Sequence, residues 1–385
     1  IRHALARGVA YLLEDQNADG SWGSPAPTLH VDIYAPNKGA FDAYQVGSSA
    51  LALSGLLDSG IRTPPVEAAI RKATDWLLAN HQAKRATADV IYNVWAHAYS
   101  LEAFARLLDR EPDAERRRAL LAASQDAVKL LERFEYVDGG WGYYDFSIGT
   151  KHPSHGHANS FTTATALVGL TMAQAHGVEV PRRLLRRARR LIQASRLPDG
   201  AYSYSFDFKY RAPQGVNKKK GSLARTPACL AALIRAGVDV PTKRVVQALD
   251  DLERFGHFLL IARKYPRPHE TWFQNSGYFC FYGYYYASDL LRSVPRAKAR
   301  EHAENIARHL LPLQEKDGAW WDYQLYTYHK PYGTGYVLTT LARCLEVLDR
   351  EAATRDSAAS APADTDPGSS ARAPSPARPA APGGA

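Results

Sequence analysis

The sequence is poor in cysteine and methionine, and it has no long apolar run. Its 385 residues include three cysteines and one methionine. Cys229, Cys280 and Cys344 lie in apolar segments, none of them in a Cys-x-x-Cys pair, so we expect buried free thiols and no disulfide scaffold. No stretch of about eighteen apolar residues occurs, which argues against a membrane-spanning helix. The first residues lack a signal-peptide pattern, so we predict a soluble or peripheral protein and leave its compartment open.

The chain does not lack positive charge. Its formal charge of +9 is compatible with a nucleic acid, an anionic membrane or an anionic small substrate as partner. Much of the charge lies in one helix-like segment that also contains leucines, a pattern typical of a solvated outer face: Arg182, Arg183, Arg186, Arg187, Arg189 and Arg190. We therefore predict no nucleic-acid partner and keep a membrane surface open.

A short motif recurs along the chain. Four segments contain Asp-Gly-x-aromatic, and their aspartates stand at positions 19, 138, 199 and 317. These positions fit a period of about sixty residues if two further copies, near residues 80 and 258, have decayed. The glycine supplies the positive φ that closes a helix, and the aromatic side chain is expected to lie flat on the neighbouring hairpin. Six units account for residues 1 to about 350.

Each unit combines two kinds of helix. Mixed apolar and charged segments, which predict half-exposed outer helices, run near 2–15, 66–82, 113–134, 181–196, 242–256 and 298–314. Almost wholly apolar segments, which predict buried inner helices, run near 43–58, 89–109, 158–176, 222–236, 276–293 and 332–349.

Twelve such helices predict an all-α, single-domain (α/α)6 toroid over residues 1–350, with six inner helices inside six outer ones. An open solenoid has the same period, but it needs polar terminal caps that the first and sixth inner helices lack. Residues 351–385 are rich in alanine, proline and serine without periodicity, and we predict a disordered tail.

The first unit resembles the repeat of squalene and oxidosqualene cyclases. The resemblance rests on Arg7-Gly8, Tyr11-Leu12-Leu13, Gln16 and Gly20-Ser-Trp22, and the sixth unit repeats it with Leu310-Leu311, Gln314 and Gly318-Ala-Trp320. It covers the framework of the whole body. It implies the α/α toroid shared by triterpene cyclases, other class II terpene cyclases and protein prenyltransferase β subunits, with the reaction in the central cavity near the N-terminal ends of the inner helices.

The acid motif of a class II cyclase is missing. Such enzymes use Asp-x-Asp-Asp to protonate an alkene, and the nearest counterpart is Asp89-Val-Ile-Tyr92. The zinc ligands of prenyltransferases are also not matched, because Asn275-Ser-Gly-Tyr-Phe-Cys280 has no aspartate two residues before its cysteine.

Polar and aromatic residues near the starts of the inner helices are the best functional candidates. We predict Asp89, His97 and His157 as catalytic residues, although Asp89 also fits a helix cap and His97 a satisfied core histidine. Ligand contacts are predicted for Tyr92, Asn93, Asn159, Arg225, Tyr278, Tyr282, Tyr285, Tyr332 and Tyr336. His152, His155 and His157 have ligand-like spacing without a carboxylate or cysteine partner, so we predict no metal and no cofactor.

Three functions remain open. The first is an enzyme or binding protein for a hydrophobic isoprenoid-type ligand, whose cationic intermediates tyrosine faces would suit. The second is a polysaccharide lyase or hydrolase, and the third is a non-catalytic binding or scaffold toroid. The cavity discriminates between them: an apolar pocket lined by Tyr278, Tyr282, Tyr332 and Tyr336 favours isoprenoids, an open polar groove favours glycans, and a filled lumen favours a scaffold.

Overall fold

The computed structural model describes residues 1–28, 38–145, 153–154, 158–207 and 215–359, with side chains described up to residue 350. Regular structure within these ranges is helical, with isolated bridges in place of strands. The α-helices are α1 (Arg2–Glu14), α2 (Lys38–Asp58), α3 (Pro64–Asn80), α4 (Asn93–Leu108), α5 (Ala114–Phe134), α6 (Ser160–Ala175), α7 (Arg182–Ala194), α8 (Arg225–Arg235), α9 (Thr242–Phe255), α10 (His257–Ala262), α11 (Phe279–Leu290), α12 (Arg296–Leu310) and α13 (His329–Ala359).

Two compact units divide the chain, Ile1–Leu348 and Asp349–Ala385. The first contains the six helical hairpins. The second is described only to residue 359, and the predicted tail therefore lies largely outside the described residues, while residues 351–359 are helical. Within the described ranges, no helix has the length and apolar character needed to cross a membrane.

The inner helices pack side by side in chain order. Helix α2 packs on α4, α4 on α6, α6 on α8 and α8 on α11. Outer helices flank them, with α3 against α1 and α5, and α9 against α12. The predicted (α/α)6 toroid is confirmed, with α2 starting earlier than expected and the short α10 added to the fifth unit.

Burial follows the predicted division between the two helix classes. Every residue of α11 is buried, whereas in α7 only Leu184, Ala188, Leu191 and Ile192 are. The arginines of α7 occupy the outer face that the sequence predicted, and Arg187 pairs with Glu135 at 2.7 Å. The apolar stripe of each outer helix thus covers a wall of inner helices.

The repeated turn fastens the first, third and sixth hairpins in the same way. All four glycines have positive φ: Gly20 (98°), Gly139 (98°), Gly200 (91°) and Gly318 (92°). The indole N–H of Trp22 donates to the carbonyl of Leu12 near the end of α1, at 2.8 Å, and Trp141 and Trp320 donate to Leu131 and Leu310. The indole therefore satisfies a carbonyl left free at the end of its own outer helix.

The inner helix completes this joint. The backbone N–H of Trp22 donates to the Ser49 hydroxyl in α2, and the matching residues in the other units donate to Thr163, Ser222 and Thr334. The sixth turn also closes the ring, because the Gln314 amide donates to Gly318 and to Ala4 of α1, at 2.9 and 3.0 Å. Trp320 packs against Gly8 of α1, the contact with a neighbouring hairpin that the sequence predicted.

The fourth unit is joined less tightly. Arg196 replaces the anchoring glutamine and Tyr202 replaces the tryptophan. A Cβ added to Gly20 would lie 2.5 Å from the Lys72 carbonyl oxygen in α3, whereas one added to Gly200 would meet nothing within 4 Å. A gap of about 380 Å³ between this turn and α9 results.

These two glycines form a matched pair for testing the rim contact. Gly20→Ala and Gly200→Ala share the strain of a positive φ, but only the first pushes a methyl group into a backbone carbonyl. We expect Gly20→Ala to lower the free energy of unfolding by roughly 1–3 kcal/mol more than Gly200→Ala. Urea unfolding of both variants measures this difference, and equal losses would show that the turn does not bear on the next outer helix.

Candidate functional site

A cavity of about 670 Å³ lies among the inner helices. It is lined by residues of α2, α4, α6, α11 and α13, most of them toward the N-terminal ends of these helices, and by the loops that precede them. Eleven tyrosines, two phenylalanines and Trp95 contribute to its walls. The cavity thus occupies the position that the resemblance implied, at the N-terminal ends of the inner helices.

Exposure decreases from the mouth of the cavity to its floor. Thr87, Asp89 and His269 are exposed at the rim, and Trp95 is half-buried below them. The floor consists of three buried tyrosines that come from different inner helices: Tyr99, Tyr282 and Tyr336. The cavity therefore opens at one end of the ring and is closed at the other.

The hydroxyl groups at the floor are satisfied within the protein. Tyr99 and Tyr336 share a hydrogen bond between their hydroxyls, and Tyr282 donates to the Phe161 carbonyl at 3.0 Å. Buried tyrosines whose hydroxyls have partners present ring faces to a ligand. The deep part of the cavity is apolar in consequence.

A buried ion network closes the ring below this floor. Glu102 accepts from the hydroxyls of Tyr285 and Tyr286, and Arg106 pairs with Asp58 at 2.8 Å. Although burial acts in the opposite direction, the charges of Arg106 and Arg343 hold the pKa of the Asp58 carboxyl below its ordinary value. Each charge is paired, which is the condition for keeping it buried.

Six of the predicted residues line the cavity. They are Asp89 at the rim and Tyr92, Tyr278, Tyr282, Tyr332 and Tyr336 on the walls and floor. Asp89 accepts a hydrogen bond from the Thr87 hydroxyl at 2.5 Å and does not cap α4. Tyr285 belongs to the ion network below the floor.

The structure places His97 and Asn93 in the core, away from the cavity lining. His97 is fully buried, its Nδ1 lies 3.2 Å from the His81 carbonyl oxygen, and its ring stacks on Phe134. Burial lowers the pKa of His97 to about 3, so the ring is neutral. The sequence had left open a satisfied core histidine at this position, and the surroundings of His97 correspond to that alternative.

Asn159 and Arg225 also lie outside the cavity lining. Asn159 donates to the Ser205 hydroxyl at 2.9 Å. Arg225 is fully buried and donates to the Gly221 and Val216 carbonyls, so it fixes the loop that leads into α8. The predicted His157, with His152 and His155, lies outside the described residues.

His269 lines the cavity, and the sequence interpretation missed it. It belongs to the fifth unit, where the sequence predicted both helices but the repeated turn between them has decayed. The loop that replaces the turn runs between α10 and α11 and brings His269 to the rim, beside Tyr204. A histidine next to Pro268 and Glu270, in a unit without its turn, was the available signal.

The Nδ1 atom of His269 lies 2.8 Å from the Gln274 carbonyl oxygen and 3.0 Å from the Ser276 hydroxyl. Although His269 is partly exposed at the rim, the protein groups packed around its ring displace water and lower its pKa below the ordinary value. The charge of Arg225 acts in the same direction, and the hydrogen bond to Gln274 acts against it. The imidazole is therefore neutral near pH 7.

Asp322 is a buried acid close to the cavity, behind Tyr332. It is fully buried and accepts from the Phe281 backbone N–H at 2.9 Å and from the Tyr332 hydroxyl at 2.8 Å. Burial raises the pKa of Asp322 to about 6. It is consequently a weaker acid than an ordinary aspartic acid, unlike the strong acid that alkene protonation demands.

The described part of the chain contains no group of three histidine, cysteine, aspartate or glutamate side chains arranged to hold a metal. Cys280, at the position compared with a zinc ligand, is fully buried, and burial raises the pKa of its thiol. The thiolate form that binds zinc is therefore disfavoured there.

No protein-family model matches the chain, and no curated protein matches it. Solved structures do match. A type II terpene cyclase from Scytonema, bound to its substrate geranylgeranyl dihydroxybenzoate, is 14% identical, covers 90% of this chain and 97% of its own, and has a TM-score of 0.50. The fold is that of the (α/α) toroids.

Carbohydrate-active proteins share it. A cellobiose 2-epimerase from Bacillus thermoamylovorans is 12% identical, with 91% and 99% of the two chains covered and a TM-score of 0.57. An alpha-1,6-mannanase from Salegentibacter, in a variant made inactive by replacing two consecutive aspartates, is 10% identical, with 89% and 98% covered and a TM-score of 0.52. At sequence identities this low, the similarity shows a shared fold and not a shared function.

The environment of Asp322 predicts a pH-dependent stability. Because the pKa is raised in the folded state, the contribution of Asp322 is fully present below its unfolded pKa of about 4 and is lost as the pH rises through about 6. Asp322→Asn removes this titration. We expect the difference in unfolding free energy, variant minus unsubstituted protein, to increase by roughly 2–3 kcal/mol between about pH 4 and pH 7.

Urea unfolding of both proteins across this pH range measures the difference. A difference that stays constant with pH would show that Asp322 is not buried as described.

Proposed function

We propose that the protein binds an isoprenoid-type hydrophobic ligand in its central cavity. The observation that carries the proposal is the apolar, ring-lined cavity, in which Tyr278, Tyr282, Tyr332 and Tyr336 all take part. Its volume of about 670 Å³ lies within the range of roughly 300–1,000 Å³ typical of small-molecule sites. Side chains leave this lumen unfilled, which favours a ligand-binding toroid over a purely structural one.

The wall chemistry supports an apolar chain as ligand. The floor hydroxyls are bonded to other protein groups, and the ring faces remain for contact with the ligand. Among the described residues, Asp89 is the one carboxylate in the lining, and no lysine or arginine lines it. Aromatic faces also stabilise cations, so the walls suit a cationic intermediate if the ligand is transformed.

The proposal does not include acid-initiated cyclisation. That reaction needs a strong carboxylic acid facing the alkene. Asp89 is exposed at the rim, and Asp322 lies behind Tyr332 with its pKa raised. Binding, or a reaction started without alkene protonation, agrees better with these groups.

A carbohydrate ligand is the second candidate, because an epimerase and a mannanase share the fold. Sugars also stack on aromatic rings. Glycoside hydrolysis, however, uses a pair of carboxylates across the scissile bond. The described lining offers only Asp89, so this candidate is less well supported than the isoprenoid.

The test is ligand binding with a cavity-filling variant. Gly47 lines the cavity, and a Cβ added there meets Ala96 at 3.8 Å and Tyr99 at 3.9 Å, which is ordinary contact. Gly47→Leu should fill part of the cavity, and Gly47→Ala is the matched control. We expect geranylgeraniol to raise the melting temperature of the unsubstituted protein and of Gly47→Ala, and to bind Gly47→Leu at least about tenfold more weakly.

Thermal melting with geranylgeraniol and with cellobiose, combined with native mass spectrometry after lipid extraction, gives the readout. Stabilisation by cellobiose alone would replace the proposal with the carbohydrate candidate. Stabilisation by neither ligand, with nothing hydrophobic bound, would leave the non-catalytic scaffold.

A further inference from the structure

The loop of the fifth unit is built around one buried carboxylate. Glu270 is 3% exposed, and its carboxylate accepts from the backbone N–H groups of Trp272, Phe273 and Asn275. The Glu270 backbone N–H donates to the Asn275 carbonyl at 2.8 Å. The Asn275 amide donates to the Lys220 carbonyl at 2.9 Å and so fastens the loop to the preceding unit. A carboxylate that accepts three backbone donors holds such a loop in one conformation.

This loop orients the His269 ring. The Gln274 carbonyl that meets Nδ1 belongs to a residue with φ of 57°, a backbone conformation that costs free energy in any residue other than glycine. A carbonyl oxygen only accepts, so the proton of the neutral ring resides on Nδ1. The lone pair then resides on Nε2, which has no hydrogen-bond partner among the described residues.

The charges around the rim indicate which kind of ligand group can bind to Nε2 of His269. The described lining contains no lysine or arginine to neutralise a diphosphate or carboxylate. Lys220, from the basic run before α8, has its Nζ about 5 Å from the ring centroids of Phe255, Phe258 and Phe273 and does not line the cavity. A neutral hydrogen-bond donor is the complement of a neutral imidazole acceptor.

We infer that His269 is the polar anchor of the cavity: its Nε2 atom accepts a hydrogen bond from a hydroxyl group at one end of an otherwise apolar ligand. The inference rests on the proposed function and narrows it to alcohols and phenols with an apolar chain. The chain lies against the ring faces toward Tyr282 and Tyr336, and the hydroxyl lies at the rim. His269 therefore sets specificity, because a ligand that donates a hydrogen bond to Nε2 binds more tightly than one that cannot.

Two substitutions separate anchoring from loop structure. His269→Asn keeps a donor near Nδ1 for the Gln274 carbonyl and removes the acceptor near Nε2. His269→Gln places an acceptor near Nε2 and loses the tie to Gln274. His257→Asn makes the same substitution at an exposed histidine of α10 that does not line the cavity, and it is the matched control.

The probes are geranylgeraniol and its methyl ether, which has the same chain and no donor. For the unsubstituted protein and His257→Asn, we expect the alcohol to bind roughly three- to tenfold more tightly than the ether. His269→Asn should abolish this ratio without changing the affinity for the ether, and His269→Gln should restore part of it. Comparing ratios between proteins cancels the extra bulk of the ether.

The possible outcomes distinguish the two proposals. If neither probe binds the unsubstituted protein, the proposed function fails and the anchor fails with it. If both probes bind and His269→Asn keeps the alcohol preference, the anchor is overturned while the proposed function stands. Loss of affinity for both probes in His269→Asn would assign His269 to loop structure and also overturn the anchor.

Discussion

The joint between outer and inner helix, complete in the first, third and sixth units, holds the ring of hairpins in register. A glycine with positive φ turns the chain, an indole N–H satisfies the carbonyl of Leu12, Leu131 or Leu310, and a hydroxyl on the inner helix accepts from the backbone beside the indole. One joint therefore ends the outer helix and sets the start of the inner one. Repetition brings the N-terminal ends of the inner helices to one face, where the cavity opens.

The six inner helices surround a lumen that is lined by charged side chains at one end and by tyrosine rings at the other. At one end, paired charges around Glu102 and Arg106 close it. At the other, tyrosine rings from several inner helices surround an open space, and the hydroxyls of the floor tyrosines bond to one another or to a backbone carbonyl. Where the joint is lost, in the second and fifth units, the connecting segments reach the rim and bring Asp89 and His269 to the cavity.

Much of the fold could be predicted from the sequence, because most residues of the joint lie close together in the chain. The period and the two helix classes both depend on residues that repeat. The cavity tyrosines were partly predictable, since polar-tipped rings on apolar helices mark a lined space. His97 and Arg225 were harder to place, because a polar residue in an apolar helix gives the same sequence pattern whether its side chain binds a ligand or a backbone carbonyl. His269 escaped because its position depends on the Glu270 turn, which has no counterpart in the repeat.

If an apolar ligand occupies the space between the inner helices, a diazirine analogue of geranylgeraniol should photolabel the residues around that space, which peptide mapping identifies. We expect labelling that unlabelled geranylgeraniol suppresses, confined to peptides from α4, α11 and α13 that carry Trp95, Tyr282 and Tyr336. Labelling at the outer gap between Arg196 and Asp251, or labelling that does not saturate, would contradict binding in that space.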